Sequence, residues 1–172
     1  SKKPANTTAS CERMKENFRL QPQLFAIRLF PRHTRLPWSR MHRRILSLYR
    51  NLLRRQCPLE QRPARRLAII APRTSAKSTL KSLILPLHSL LYRQERYIVL
   101  ISATQKQARQ RLRNIKAEIL RNPDLNLLYG PELASRDGWT SASINVNGVQ
   151  IDAYSAGSEI RGISYREWRP SL

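Results

Sequence analysis

Leu67-Ala68-Ile69-Ile70-Ala71-Pro72-Arg73-Thr74-Ser75-Ala76-Lys77-Ser78-Thr79 is the stretch on which the reading of this chain turns. Its first five residues form a short apolar run. Gln61-Arg62-Pro63 precedes that run and Pro72 follows it, so turn formers bound it on both sides, as expected of a buried strand. A helix is expected next, from about Ala76 to Tyr92. Pro86 within it removes one backbone donor and is expected to kink or split it.

The loop between a buried strand and a helix is a natural place to hold phosphate. Successive backbone N–H groups can point inward there, and the helix end adds its own unpaired amides. A Lys can then reach the β- and γ-phosphates, and a hydroxyl after it can ligate Mg²⁺. Lys77 and Ser78 supply these two groups. Against the pattern Gly-x-x-x-x-Gly-Lys-Ser/Thr, however, both glycine positions are alanine, Ala71 and Ala76, and all five glycines of the chain lie at or beyond Gly130. Alanine permits close approach to phosphate but gives up easy access to positive φ. On the pattern alone two readings stand: a nucleotide site, and a basic residue in the first turn of a helix.

Downstream, Tyr97-Ile98-Val99-Leu100-Ile101-Ser102 reads as a second buried strand. Thr104 or Ser102 can cap the helix after it, where Ala108, Leu112, Ile115 and Ile119 recur at helical spacing. Strand, helix, strand, helix implies parallel strands joined by right-handed crossovers, hence an α/β fold. Ser143–Val146 and Val149–Ala153 flank Asn147-Gly148, a pair suited to a tight turn, so an inserted antiparallel hairpin is expected.

Upstream, Met41, Ile45, Leu48, Tyr49, Leu52 and Leu53 line one face of a helix over Ser39–Gln56. Arg40, Arg43, Arg44, Arg50, Arg54 and Arg55 occupy its other faces, either as a solvated arginine surface or in contact with phosphates. Ser1 to about Gln23 lacks a sustained apolar period and is expected to be mobile or loosely docked. The chain thus divides into a basic, partly disordered arm over residues 1–37 and an α/β portion over 38–172.

Charge points to the partner class. The 172 residues hold 32 Lys and Arg against 11 Asp and Glu, a net +21. Residues 1–66 alone hold 17 basic and 3 acidic residues, a net +14. Such an excess attracts polyanions, nucleic acid first among them. Cys11 and Cys57 stand far apart and outside any C-x-x-C pattern, which argues against a disulfide scaffold or a cysteine zinc site and for a reducing compartment. His33, His42 and His88 have no ligand spacing. The longest apolar runs fall far short of the roughly 20 residues that span a bilayer. No membrane association and a cytoplasmic location are therefore expected.

Ala71-Pro72-Arg73-x-x-Ala76-Lys77-Ser78-Thr79-Leu80 resembles the variant Walker A segment of large terminase subunits, the DNA-packaging motors of tailed phages. A Pro-Arg-Gly-His-Ala-Lys-Ser-Thr form is familiar there, and Thr74-Ser75 stand where it has Gly-His. Phe30-Pro31 ahead of the helix at His42, the strand Tyr97–Ser102 with Ala103-Thr104 and Ala108, and Gly157-Ser158-x-Ile160-Arg161-Gly162 leading to Arg169-Pro170 resemble the same family in order and spacing. The likeness runs from about Phe30 to Leu172.

The resemblance implies a P-loop NTPase-like domain of the ASCE, or RecA-like, kind: a parallel sheet flanked by helices, binding ATP and Mg²⁺. It implies that amides of Thr74, Ser75, Ala76, Lys77 and Ser78 line the phosphates, with Thr79 completing the cofactor-binding segment. Lys77 would neutralise β and γ charge, Ser78 would hold the metal, and Arg73 would sense or stabilise the γ-phosphate, making Lys77 and Arg73 the catalytic pair. Arg73 could instead pair with Glu159. Thr104 would relay nucleotide state or simply cap its helix. Arg161 and Gly162 would touch nucleotide or a neighbouring subunit, or simply lead into a strand.

Double-stranded DNA, a small terminase subunit, the portal and a homo-oligomeric ring are the implied partners, in the host cell cytoplasm. The family continues past the equivalent of Leu172 into paired Walker B and catalytic acids and then a nuclease domain. Asp124, Asp137, Asp152, Glu159 and Glu167 form no recognisable substitute cluster. The chain, which also lacks an initiator Met, therefore reads as a piece of something longer that binds ATP without hydrolysing it. The competing expectations are a basic nucleic-acid-binding module without nucleotide chemistry, and another P-loop NTPase such as a helicase or small-molecule kinase.

Overall fold

The computed structural model describes residues 5–35, 37–53, 77–135, 138–158 and 163–166. At its centre is a helix, α4 (residues 77–91), in which every residue from Ser82 to Leu91 is buried. A helix buried all round has to be enclosed by other elements. Those elements are α1 (Ala5–Leu20), α2 (Pro22–Leu29) and α3 (Arg40–Leu53) ahead of it. After it come β1 (Tyr97–Ser102), α5 (Gln105–Arg121), α6 (Pro123–Tyr129), β2 (Ser143–Val146) and β3 (Val149–Ser155). The fold is mixed α/β. None of the described helices is long and apolar enough to cross a membrane.

The disturbance expected at Pro86 takes the form of a π-helical turn just before it, and the chain stays helical to Leu91. α4 runs from an α-turn, Lys77–Thr79, into a π-helical turn, Leu80–Ile84, and on as α-helix over Leu85–Leu91. The amide of Leu85 donates to the carbonyl of Leu80, five residues back. A proline cannot donate to the carbonyl four residues earlier, and its ring clashes with it. The wider π-turn just upstream relieves that conflict and lets the helix continue.

The described strands form one small mixed sheet in the order β1-β3-β2, which holds both a parallel pair and the expected hairpin. β3 is its centre: Tyr97 faces Gln150 and Ser102 faces Ser155 in the parallel pair, while Ser143 faces Asp152 in the antiparallel one. The hairpin forms as read, with Asn147 and Gly148 at φ 55° and 74°. Its second strand is long and apolar enough on one face, at Val149, Ile151 and Ala153, to take the central position. The strand expected over Leu67–Ala71 lies outside the described residues.

Ala108, Leu112, Ile115 and Ile119 of α5 are all buried, as their spacing predicts. Ile98, Leu100, Ile144, Val146, Ile151 and Ala153 bury the sheet residues of the same core. By strand alternation Val99, Ile101, Gln150, Asp152 and Tyr154 point the other way, and Ile101 is 52% exposed. Asp152 is held on that face by the Tyr97 and Ser143 hydroxyls at 2.7 and 2.6 Å.

The arm expected over residues 1–37 holds two docked helices across its described part. Phe18, Phe25 and Phe30 are buried, with Phe18 and Phe25 edge to face at 6.2 Å between ring centres. Beneath them His88 of α4 is completely buried against Phe25, Tyr49 and Tyr92. Its Nε2 lies 3.0 Å from the Phe18 carbonyl, which can only accept, so this nitrogen carries the proton. Burial pushes the imidazole down to about 4 despite that hydrogen bond, and the ring is neutral at pH 7. The Tyr92 hydroxyl donates to the Lys15 carbonyl at 2.7 Å, and Lys15 reaches Glu132 at 2.7 Å. α1 thus docks through one aromatic side chain, two carbonyls and an ion pair, with no apolar stripe for a sequence pattern to reveal.

Candidate functional site: a cleft beside the first turn of α4

Three elements converge at one end of the sheet. β1 finishes at Ser102, and Thr104 accepts a hydrogen bond from the Gln107 amide at 3.3 Å to start α5. In the second turn of α5, Arg111 reaches back across this end: Nε donates to Ser102 Oγ at 2.8 Å and Nη1 to Ser82 Oγ at 2.7 Å. Both serines are buried. Arg111 therefore ties the carboxyl end of β1 to the early turns of α4, the region outside strand carboxyl ends where α/β sheets place ligands.

A cleft of about 320 Å³ opens there. Ser78, Thr79 and Ser82 of α4 line one side, with Arg111 and Asn114 of α5 opposite. Ser78 is exposed and Thr79 half-buried. His33 and Glu118, 3.0 Å apart, stand at the far end. Beyond that pair lies a second hollow of about 430 Å³ bordered by Phe30, Arg32, Arg121 and Asn122. The cleft beside Ser78 is rich in donors: three hydroxyls, the Asn114 amide, and the N–H groups of Arg111 not spent on its two serines. Such a set suits a phosphate-like oxyanion.

The structure describes only part of the segment read from the sequence. Arg73, Thr74, Ser75 and Ala76 lie outside the described residues, as do Glu159, Arg161 and Gly162. Lys77 is helical in its backbone, and Ser78 and Thr79 share the cleft. Thr104 is the cap of α5. Asp152 is engaged by hydroxyl and amide donors of the sheet. Among the described residues no group of three or more His, Cys, Asp or Glu could hold a metal ion.

Arg111 and Ser82 carry no role in the sequence pattern, and Ser102 enters it only as a strand end and possible helix cap. One signal was available: Arg111 lies three residues after Ala108 and four before Ile115, so it borders the buried stripe of its helix. A cation at that edge is placed to reach a neighbouring element.

No protein-family model matches the chain, and neither does any curated protein or solved structure.

Proposed function

We propose that this chain is the ATP-binding portion of a motor resembling large terminase subunits, which drives double-stranded viral DNA into a procapsid using ATP. The observation that carries the reading is the position of Ser78: exposed on a donor-rich cleft, in a helix buried from Ser82 to Leu91, at the carboxyl end of β1. That is where a phosphate-binding loop delivers its hydroxyl. In this reading Lys77 meets the β- and γ-phosphates, and Arg73 and the amides of residues 74–78 surround them. Mg²⁺ is commonly held by one or two protein groups plus phosphate oxygens and water, and the Ser78 hydroxyl fits that role. Bound ATP supplies the chemical energy of translocation. The partners are DNA, a small terminase subunit, the portal and further copies of the chain in a ring, in the host cytoplasm.

A second reading, a basic nucleic-acid-binding module without nucleotide chemistry, is favoured by Arg40, Arg43 and Arg44, all exposed on α3. Titration of the full chain with Mg·ATP separates the two. The motor reading expects saturable binding weakened at least about tenfold by Lys77→Ala, the loss of one charge-assisted phosphate contact. DNA binding with no affinity for nucleotide supports the module instead.

A further inference from the structure

We infer that the outward ridge of α5, formed by Lys106, Arg109 and Arg113, is a track for the phosphates of one strand of double-stranded DNA. The inference rests on the DNA partner proposed above and not on the nucleotide cleft. Residues at i, i+3 and i+7 share one helix face. All three side chains are exposed, and none has a hydrogen bond or ion pair among the described residues. Of the other charges of α5, Arg121 is exposed at the helix's C-terminal end and borders the second hollow, and the rest are engaged within the fold. Arg111 holds Ser82 and Ser102, Lys116 bonds the Thr140 carbonyl and lies over Trp139, and Glu118, the helix's one acid, pairs with His33. The ridge therefore keeps three positive charges with no carboxylate from its own helix beside them.

Spacing and rigidity fit a duplex backbone. Seven residues of helix rise about 10 Å, the axial length of about three successive phosphates on one strand. The ridge is fixed in place because Ala108, Leu112, Ile115 and Ile119, on another face of the same helix, are fully buried. A rigid row of cations pays little ordering entropy when it meets a regular row of anions. A solvated face of a soluble helix would more commonly mix both charge signs.

The test is the salt dependence of binding to random-sequence duplex DNA by the full chain. Each neutralised phosphate contributes about 0.9 to the slope of log K against log salt, so the triple variant Lys106→Gln, Arg109→Gln, Arg113→Gln is expected to lower the slope by about 2.7. A control removes the same charge elsewhere, with Arg13→Gln, Arg28→Gln and Arg32→Gln, at positions likewise exposed on other elements; its slope should stay near wild type. Thermal melting of both variants checks that the fold is kept. A wild-type slope in the α5 variant, an equal fall in the control, or no DNA binding by the wild type overturns the ridge. Mg·ATP titration of the same samples reports on the nucleotide reading independently: intact ATP binding beside an unchanged DNA slope sinks the ridge alone.

Discussion

α1 and α5 are helices of nearly equal length, and they are held in opposite ways. α5 presents a continuous stripe, Ala108, Leu112, Ile115 and Ile119, that is buried to the last residue. α1 presents almost none: Phe18 is its one residue described as buried, and the rest of its attachment runs through the Phe18 and Lys15 carbonyls and the Lys15–Glu132 pair. A stripe anchors a helix by area, whereas α1 depends on a few directional contacts gathered around one buried imidazole. The two should therefore fail differently when perturbed.

The largest expected effect is on the stripe. Leu112→Ala removes a fully buried side chain from the interface of α5 with the sheet and should cost on the order of 4 kcal/mol. Denaturant unfolding followed by two probes, one on each helix, checks it: both should shift together. Loss of α5 order alone would show that the stripe does not anchor the core.

The imidazole should make α1 sensitive to acid. His88 in the fold titrates near 4, against 6.5 when free, so its neutral form is the one the fold favours. Its contribution is complete above pH 6.5. As pH falls from 6.5 towards 4 the unfolded chain takes up a proton that the fold refuses, and stability declines by about 3 kcal/mol over that window. His88→Gln, which keeps a donor for the Phe18 carbonyl, should flatten this part of the profile. Hydrogen exchange should show the amides of α1 opening before those of α5 as the pH drops. Equal slopes in wild type and variant would contradict the assignment.

The same contrast explains what the sequence disclosed. β1, α5 and the Asn147-Gly148 hairpin follow from periodicity and turn chemistry, both local properties. The central place of β3 does not, because an apolar hairpin strand carries no sign of which further strand it will pair with. α1 was hidden because carbonyl acceptors leave no mark on a sequence, and the π-turn before Pro86 because a local rule cannot weigh the burial that keeps α4 intact. At the cleft, Ser78 and Thr79 were legible from their place after a strand and a lysine. Arg111 was not, since its partners Ser82 and Ser102 lie 29 and 9 residues away and meet only when α4 and β1 are side by side.

The claim that the cleft receives a triphosphate with its metal is tested most directly by ATP affinity measured with and without Mg²⁺, in the wild type and in Ser78→Ala. Magnesium should tighten ATP binding to the wild type and leave the variant's affinity nearly unchanged, because the variant lacks the hydroxyl assigned to the metal. A wild type that binds no ATP, or a Ser78→Ala variant that keeps the full magnesium enhancement, would contradict the account.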